Sequence, residues 1–128
     1  MATSSSRSGL TKYQMRKVTE YVETNIGSRI TIAQLSSSIH LSRWHFSRAF
    51  SRATGLSPRE YLMTARLQRA KTLVEISDWT ISEISEACGF SDQSHLTRQF
   101  RKSVGTTPMQ WRRQFRQLPV ANLTHESC

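Results

Sequence analysis

The sequence predicts an all-α protein: two helix-turn-helix units joined by a long central helix. Three observations carry that prediction. The helix starts are spelled out, because Thr11 with Gln14, Thr31 with Gln34, Ser57 with Glu60, Thr80 with Glu83 and Thr107 with Gln110 are capping-box pairs. The stretch from Thr80 to Gly105 reads as a short helix, a glycine turn and a second helix, which is the helix-turn-helix spacing. About fifty residues upstream the chain repeats that pattern, from Thr31 to Gly55. Two copies make a duplication and fall short of the repeat number of a solenoid.

Taken in order, residues 1–9 are Ser-rich and predicted to be a disordered tail or linker. Residues 10–56 form the first helix-turn-helix unit. Its opening helix buries a stripe of Met15, Val18, Val22 and Ile26 and stops at Gly27. Ile32, Leu35 and Ile39 are the inward residues of the next helix. His40 then stands in the turn where the second copy has Gly89, so the turn is either less left-handed or strained. Ser42 caps the following helix, whose core side is Phe46, Ala49, Phe50 and Ala53. Arg43, Trp44, Ser47, Arg48, Ser51 and Arg52 are left facing out. Trp44 either contacts a partner there or folds back on the edge of the core.

Residues 57–77 form the linker helix, announced by an N-cap, a proline at the first helical position and a capping box together. Its apolar residues Tyr61, Leu62, Ala65, Leu67, Ala70, Leu73 and Val74 are spread over more than one face, as in a helix that packs against both units. Arg66 and Arg69 are phosphate contacts or internal ion-pair partners. At about 1.5 Å per residue such a helix is a rigid spacer of roughly 27 Å.

Residues 78–117 form the second unit. Ile81, Ile84 and Ala87 share one face of the first helix, which Gly89 ends in a left-handed turn. Ser91 is the expected cap of the next helix, with Leu96, Phe100 and Val104 facing in and Gln93, Ser94, Thr97, Arg98 and Arg101 facing out. His95 on the same helix either touches a ligand or packs beneath it. Ser42 pairs with Ser91, and a slip of one residue inside the second helix then aligns Arg48 with Arg98, Phe50 with Phe100, Gly55 with Gly105 and Tyr61 with Trp111. Past Pro108 a last short helix carries Trp111 and Phe115, with Arg112, Arg113 and Arg116 as a basic end, closed by Pro119. Residues 118–128 read as a tail.

Composition narrows the function. The net charge is +9 over 128 residues, and polyanions are the partners that such a surface attracts, nucleic acid before membrane. No run of about 18 apolar residues and no secretory leader is present, which fits a cytoplasmic protein that avoids membranes. Cys88 reads as a small buried side chain, and His125 with Cys128 lacks metal-ligand spacing. There is no Gly-rich phosphate loop, no His-Glu-x-x-His pattern and no nucleophile-base set, so neither an enzyme nor a metal or other cofactor is expected.

From Thr11 to Arg116 the chain resembles the AraC/XylS family of bacterial transcription regulators. The most specific stretch is A-C-G-F-S-D-Q-S-H-L-T-R-Q-F-R-K, Ala87 to Lys102, followed by G-T-T-P from Gly105 to Pro108. Leu96, where the family more often has Phe, and His40, where it has Gly, are departures. The resemblance implies about seven helices and one recognition helix from each unit inserted into successive major grooves of double-stranded DNA. It implies readers at Trp44, Ser47 and Arg48, and at Gln93, Ser94, His95, Thr97 and Arg98. Arg can pair with guanine, Gln with adenine, and Thr can pack on a thymine methyl. Arg52, Arg101 and Lys102 point toward the flanking backbone and set the register by phosphate contact, and Arg43 on the outer face completes the DNA-binding set. The short, stand-alone members that the chain resembles imply a monomer on DNA that recruits RNA polymerase, an activator. The alternatives are the DNA-binding part of a longer ligand-gated regulator, a recombinase or transposase module, and a nonspecific nucleoid-type protein.

Overall fold

The computed structural model describes residues 9–117. The serine-rich start, Pro119, His125 and Cys128 lie outside the described residues. Seven helices follow one another: α1 (Lys12–Thr24), α2 (Ile32–Ser38), α3 (Arg43–Thr54), α4 (Pro58–Ile76), α5 (Ile81–Ala87), α6 (Gln93–Val104) and α7 (Pro108–Arg116). No strand occurs among the described residues. The all-α prediction holds, and each capping box forms with both of its hydrogen bonds.

The chain divides into two compact units, residues 1–66 and 67–128. The dividing point lies within α4, a single helix of 19 residues. Each unit thus has four helical segments. In the first, α1 packs on α2 and α2 on α3. Val18, Val22, Leu35, Ile39, Phe46 and Phe50 form its core, with Tyr61 and Leu62 of α4 against it. In the second, the C-terminal part of α4 contributes Ala70 and Val74, α5 contributes Ile81 and Ile84, and α6 contributes Leu96 and Phe100. Cys88 is fully buried, as its position on the apolar side predicted.

The two turns share one design. Leu41 N–H donates to Ser36 O and His40 N–H to Ser37 O, and in the second unit Phe90 N–H donates to Ser85 O and Gly89 N–H to Glu86 O. This pair of bonds is the Schellman closure, and it needs a left-handed residue just past the helix end. Gly89 supplies it with φ 84°, and His40 adopts it too, with φ 61°. The first turn therefore keeps the left-handed shape, and His40 carries the strain.

Beyond that point the copies diverge, and here the sequence reading needs correction. The cap of α6 is Asp92, whose side chain accepts from His95 N–H, and not Ser91. The turn of the second unit is one residue longer than that of the first, where Ser42 caps α3 directly after Leu41. The slip between copies lies in this turn, so α3 and α6 align without a gap. Helix α1 ends at Thr24 because the Asn25 side chain and backbone N–H both donate to Tyr21 O, so Gly27 is not its stop. Ala53 is exposed and does not belong to the core.

Gly9, assigned by sequence to a disordered tail, instead packs on α3. A Cβ there would sit 2.6 Å from the Ala49 carbonyl oxygen and 2.9 Å from Ala53 N, so only glycine lets the backbones approach this closely. Leu10 beside it is buried in the first core.

Candidate nucleic-acid interface

In the first unit the site is built on α3. Ser42 accepts from His45 N–H and fixes where the helix begins. Phe46 and Phe50 then anchor its inner face, with ring centroids 5.5 Å apart, and the Phe50 ring meets Tyr61 edge-on at 5.2 Å. Truncating such a buried ring costs about 3–5 kcal/mol, so the register of the outer face is firmly set. On that outer face Arg43, Trp44, Arg48 and Arg52 are exposed and Ser47 is half-buried.

Trp44 is 71% exposed, which excludes the reading in which it folds back on the core edge. The Arg48 guanidinium lies 4.8 Å from its ring centroid. A cation over the face of an indole is attracted by the ring quadrupole, by about 0.5–1 kcal/mol at an exposed site. The pair holds two long side chains in one place before any ligand arrives. Their spacing of four residues is the signal that reveals it in the sequence. Trp44, Arg48 and Arg52 also line an open cleft of about 420 Å³ whose far side is Leu10, Thr11 and Gln14. The two guanidiniums make this cleft suited to an anionic group.

In the second unit the site is built on α6, again with two buried anchors, Leu96 and Phe100. Gln93, Ser94, Arg98, Arg101 and Lys102 are exposed, while His95 and Thr97 are half-buried. Gln, Ser and Thr among the cations supply hydrogen-bonding groups that a purely electrostatic surface lacks. His95 has a structural task. Its Nδ1 accepts from Ser91 N–H at 3.3 Å and lies 3.2 Å from Ser91 Oγ, and its ring meets Phe90 edge-on at 5.3 Å. Accepting at Nδ1 leaves Nε2–H as the donor of the neutral ring. Ser91, displaced from the capping role, thus ties the turn to the helix.

Other predicted cations point elsewhere. Arg66 donates from Nε to Ile26 O and from Nη2 to Ser28 O, closing the turn after α1. Arg69 is exposed. Arg112 donates to Val74 O, and Arg116 donates to Ser77 O and pairs with Asp78 at 2.9 Å. Both cover carbonyls at the end of α4, where cations also offset the negative end of the helix dipole. The basic end of α7 is therefore partly turned inward. Among the described residues no group of three or more His, Cys, Asp or Glu is placed to hold a metal, and no helix is long and apolar enough to cross a membrane.

A family profile described as a helix-turn-helix domain matches residues 35–114. The chain is 35% identical over 92 residues to the HTH-type transcriptional regulator YobQ of Bacillus subtilis, covering 72% of this chain and 38% of that protein. It is 30% identical over 107 residues to the HTH-type transcriptional activator RhaS of Pectobacterium carotovorum, covering 84% and 38%. The chain thus spans about two fifths of the length of these curated relatives. Among solved structures, the DNA-binding domain of AdpA in complex with a target DNA matches with a TM-score of 0.76 and 28% identity, over 80% of this chain and 93% of that one. A transcriptional regulator of AraC-type from Chromobacterium violaceum matches with a TM-score of 0.78 and 27% identity, over 84% and 96%.

Proposed function

The chain belongs to the AraC-type family of helix-turn-helix transcription regulators, and we propose that it reads an asymmetric site in double-stranded DNA by inserting α3 and α6 into successive major grooves. The observation that carries this reading is the pairing, in each unit, of a deeply anchored inner helix face with an exposed row of hydrogen-bonding and cationic side chains. Arg48 and Arg98 read guanine edges, Gln93 reads adenine, and Thr97 packs on a thymine methyl. Trp44 presents apolar surface to the groove, with Ser47, Ser94 and the Nε2–H of His95 as further hydrogen-bonding groups. Arg43, Arg52, Arg101 and Lys102 bind backbone phosphates and set the register. The outer rows of α3 and α6 differ, so one chain binds as a monomer to two unlike half-sites.

Activation by contact with RNA polymerase is the regulatory output of this reading, supported by the activators among the relatives. A second reading has its own support: the relatives are more than twice as long as the matched region, which favours coupling of the DNA-reading units to an effector-sensing domain. Selection from random duplexes followed by footprinting tests the proposal. One non-palindromic sequence with two protected major-groove segments is expected. Inserting about 5 bp between the halves turns one onto the opposite face of the duplex, and binding then falls to the nonspecific level. Failure to enrich any sequence, with specific and nonspecific affinities equal, overturns it.

A further inference from the structure

One wall of the cleft in the first unit belongs to α1. Thr11 and Gln14 form it, across from Arg48 and Arg52, and no acidic residue lines the cleft. Residues three and four apart share one face of a helix, so Lys17 stands one turn beyond Gln14 on the same side, and Tyr13 lies beside it. Lys17 Nζ is 6.0 Å from the Tyr13 ring centroid, and the Arg16 guanidinium is 5.9 Å from the same ring. All three side chains are in the open, with Tyr13 60% exposed. The core of the unit takes Val18 and Val22 from this helix instead. Glu20 is three residues from Lys17 and four from Arg16, yet neither cation joins an ion pair among the described residues. A phenol and two cations thus stand at the edge of the cleft with no task in the fold.

The duplication is an independent pointer. The C-terminal part of α4 serves the second unit as α1 serves the first, with Ala70 and Val74 buried where Val18 and Val22 are. On that alignment Lys17 matches Arg69, and both are exposed. The surrounding positions are not kept, since Tyr13 matches Ala65 and Arg16 matches Gln68. A position that packing leaves unconstrained carries a cation in both copies.

We propose that the outer face of α1 is a further DNA contact, with Lys17 and the Tyr13 hydroxyl on the sugar-phosphate backbone just outside the first half-site, an inference that rests on α3 being a DNA-reading helix. Charge complementarity and continuity select this occupant. The face extends the cations of α3 across the cleft, and a DNA strand offers phosphates at a regular interval of about 3.4 Å along its axis for such a row to follow. An acidic protein segment matches the charge but has no reason to continue into the cleft beside Arg48 and Arg52. Lysine acts on a phosphate as a point charge and tyrosine donates a hydrogen bond to it, and neither contact carries sequence information. The face therefore adds affinity and leaves base preference alone.

The test uses the full 128-residue chain and the duplex selected from random sequences, with and without about 10 bp beyond the first half-site. The first half-site is the one whose footprint Arg48→Ala removes. Lys17→Ala is expected to weaken the long duplex about five- to tenfold at about 0.1 M salt and to lower the salt slope by about one, with base preference unchanged. Tyr13→Phe keeps the ring beside the cations, loses the hydroxyl, and is expected to weaken the long duplex about fivefold. On the trimmed duplex both variants are expected to bind as the unaltered chain does. Lys12→Ala removes the same charge from roughly 140° further round α1 and is expected to stay within about twofold on both duplexes. Equal losses for Lys12→Ala and Lys17→Ala mark a diffuse field in place of a contact and overturn the proposal. Losses that persist on the trimmed duplex overturn it too. An unchanged affinity and slope for Lys17→Ala overturns it and leaves the face to an acidic protein partner. Failure to select any duplex sinks the DNA reading itself, whereas a selected duplex indifferent to Lys17→Ala sinks the α1 contact alone.

Discussion

At the scale of single residues, the side chains proposed to read bases are tested against those that hold the fold. Arg98 is exposed on α6, whereas Lys102 sits in the last turn of the same helix, one turn further along. Arg98→Ala is expected to cost about 1–3 kcal/mol on the selected site and to relax preference at one or two base pairs. Lys102→Ala is expected to weaken all duplexes by a common factor. Competition titrations with specific and random duplexes separate the two, and an equal loss for Arg98→Ala on both removes its reading role. His40 is a residue that only holds. A left-handed conformation costs an L-residue roughly 1–2 kcal/mol, and glycine gives back roughly 0.4–1 kcal/mol through the unfolded chain. His40→Gly is therefore expected to stabilise the protein by about 0.5–1 kcal/mol, read as a higher urea midpoint at unchanged slope.

At the scale of elements, the capping boxes decide where helices begin, and the turns decide how α2 meets α3 and α5 meets α6. The longer second turn moves the cap of α6 to Asp92, whose bond to His95 N–H is 2.7 Å. Asp92→Ala is expected to cost about 1 kcal/mol, as loss of an N-cap does. Ser91→Ala removes only the hydroxyl 3.2 Å from His95 Nδ1 and is expected to cost less than about 0.5 kcal/mol. Equal losses in parallel denaturation curves would return the capping role to Ser91. Helix α4 illustrates a different economy. Its first turns serve the core of one unit through Tyr61 and Leu62, and its last turns serve the core of the other through Ala70 and Val74.

At the scale of the whole molecule, the charge of +9 sets how binding responds to its medium. With about six to eight phosphates neutralised, the logarithm of the affinity is expected to fall with the logarithm of salt concentration at a slope of roughly −5 to −7. Titrations at several salt concentrations measure this, and a slope near zero contradicts the assignment to nucleic acid. Arg66, Arg112 and Arg116 are engaged with backbone carbonyls, so they are expected to contribute little to that slope.

The sequence by itself determined the helices, every N-cap but that of α6, and the duplication. Those are local properties: a Thr and a Gln three residues apart, or apolar side chains at steps of three and four, act within one helical turn. It also exposed the outer rows of α3 and α6, since the residues left over from a buried stripe must face away from it. Tertiary structure decided what periodicity does not encode. Arg66 reaches carbonyls about forty residues away, Arg112 and Arg116 do the same, and no local pattern separates such a cation from a solvated one. Trp44 has two allowed positions by pattern alone, and the fold places it in the open beneath the Arg48 guanidinium. The displaced cap was hidden because Ser91 and Asp92 are both good caps, and only the geometry of the Schellman closure leaves the helix to start after the second.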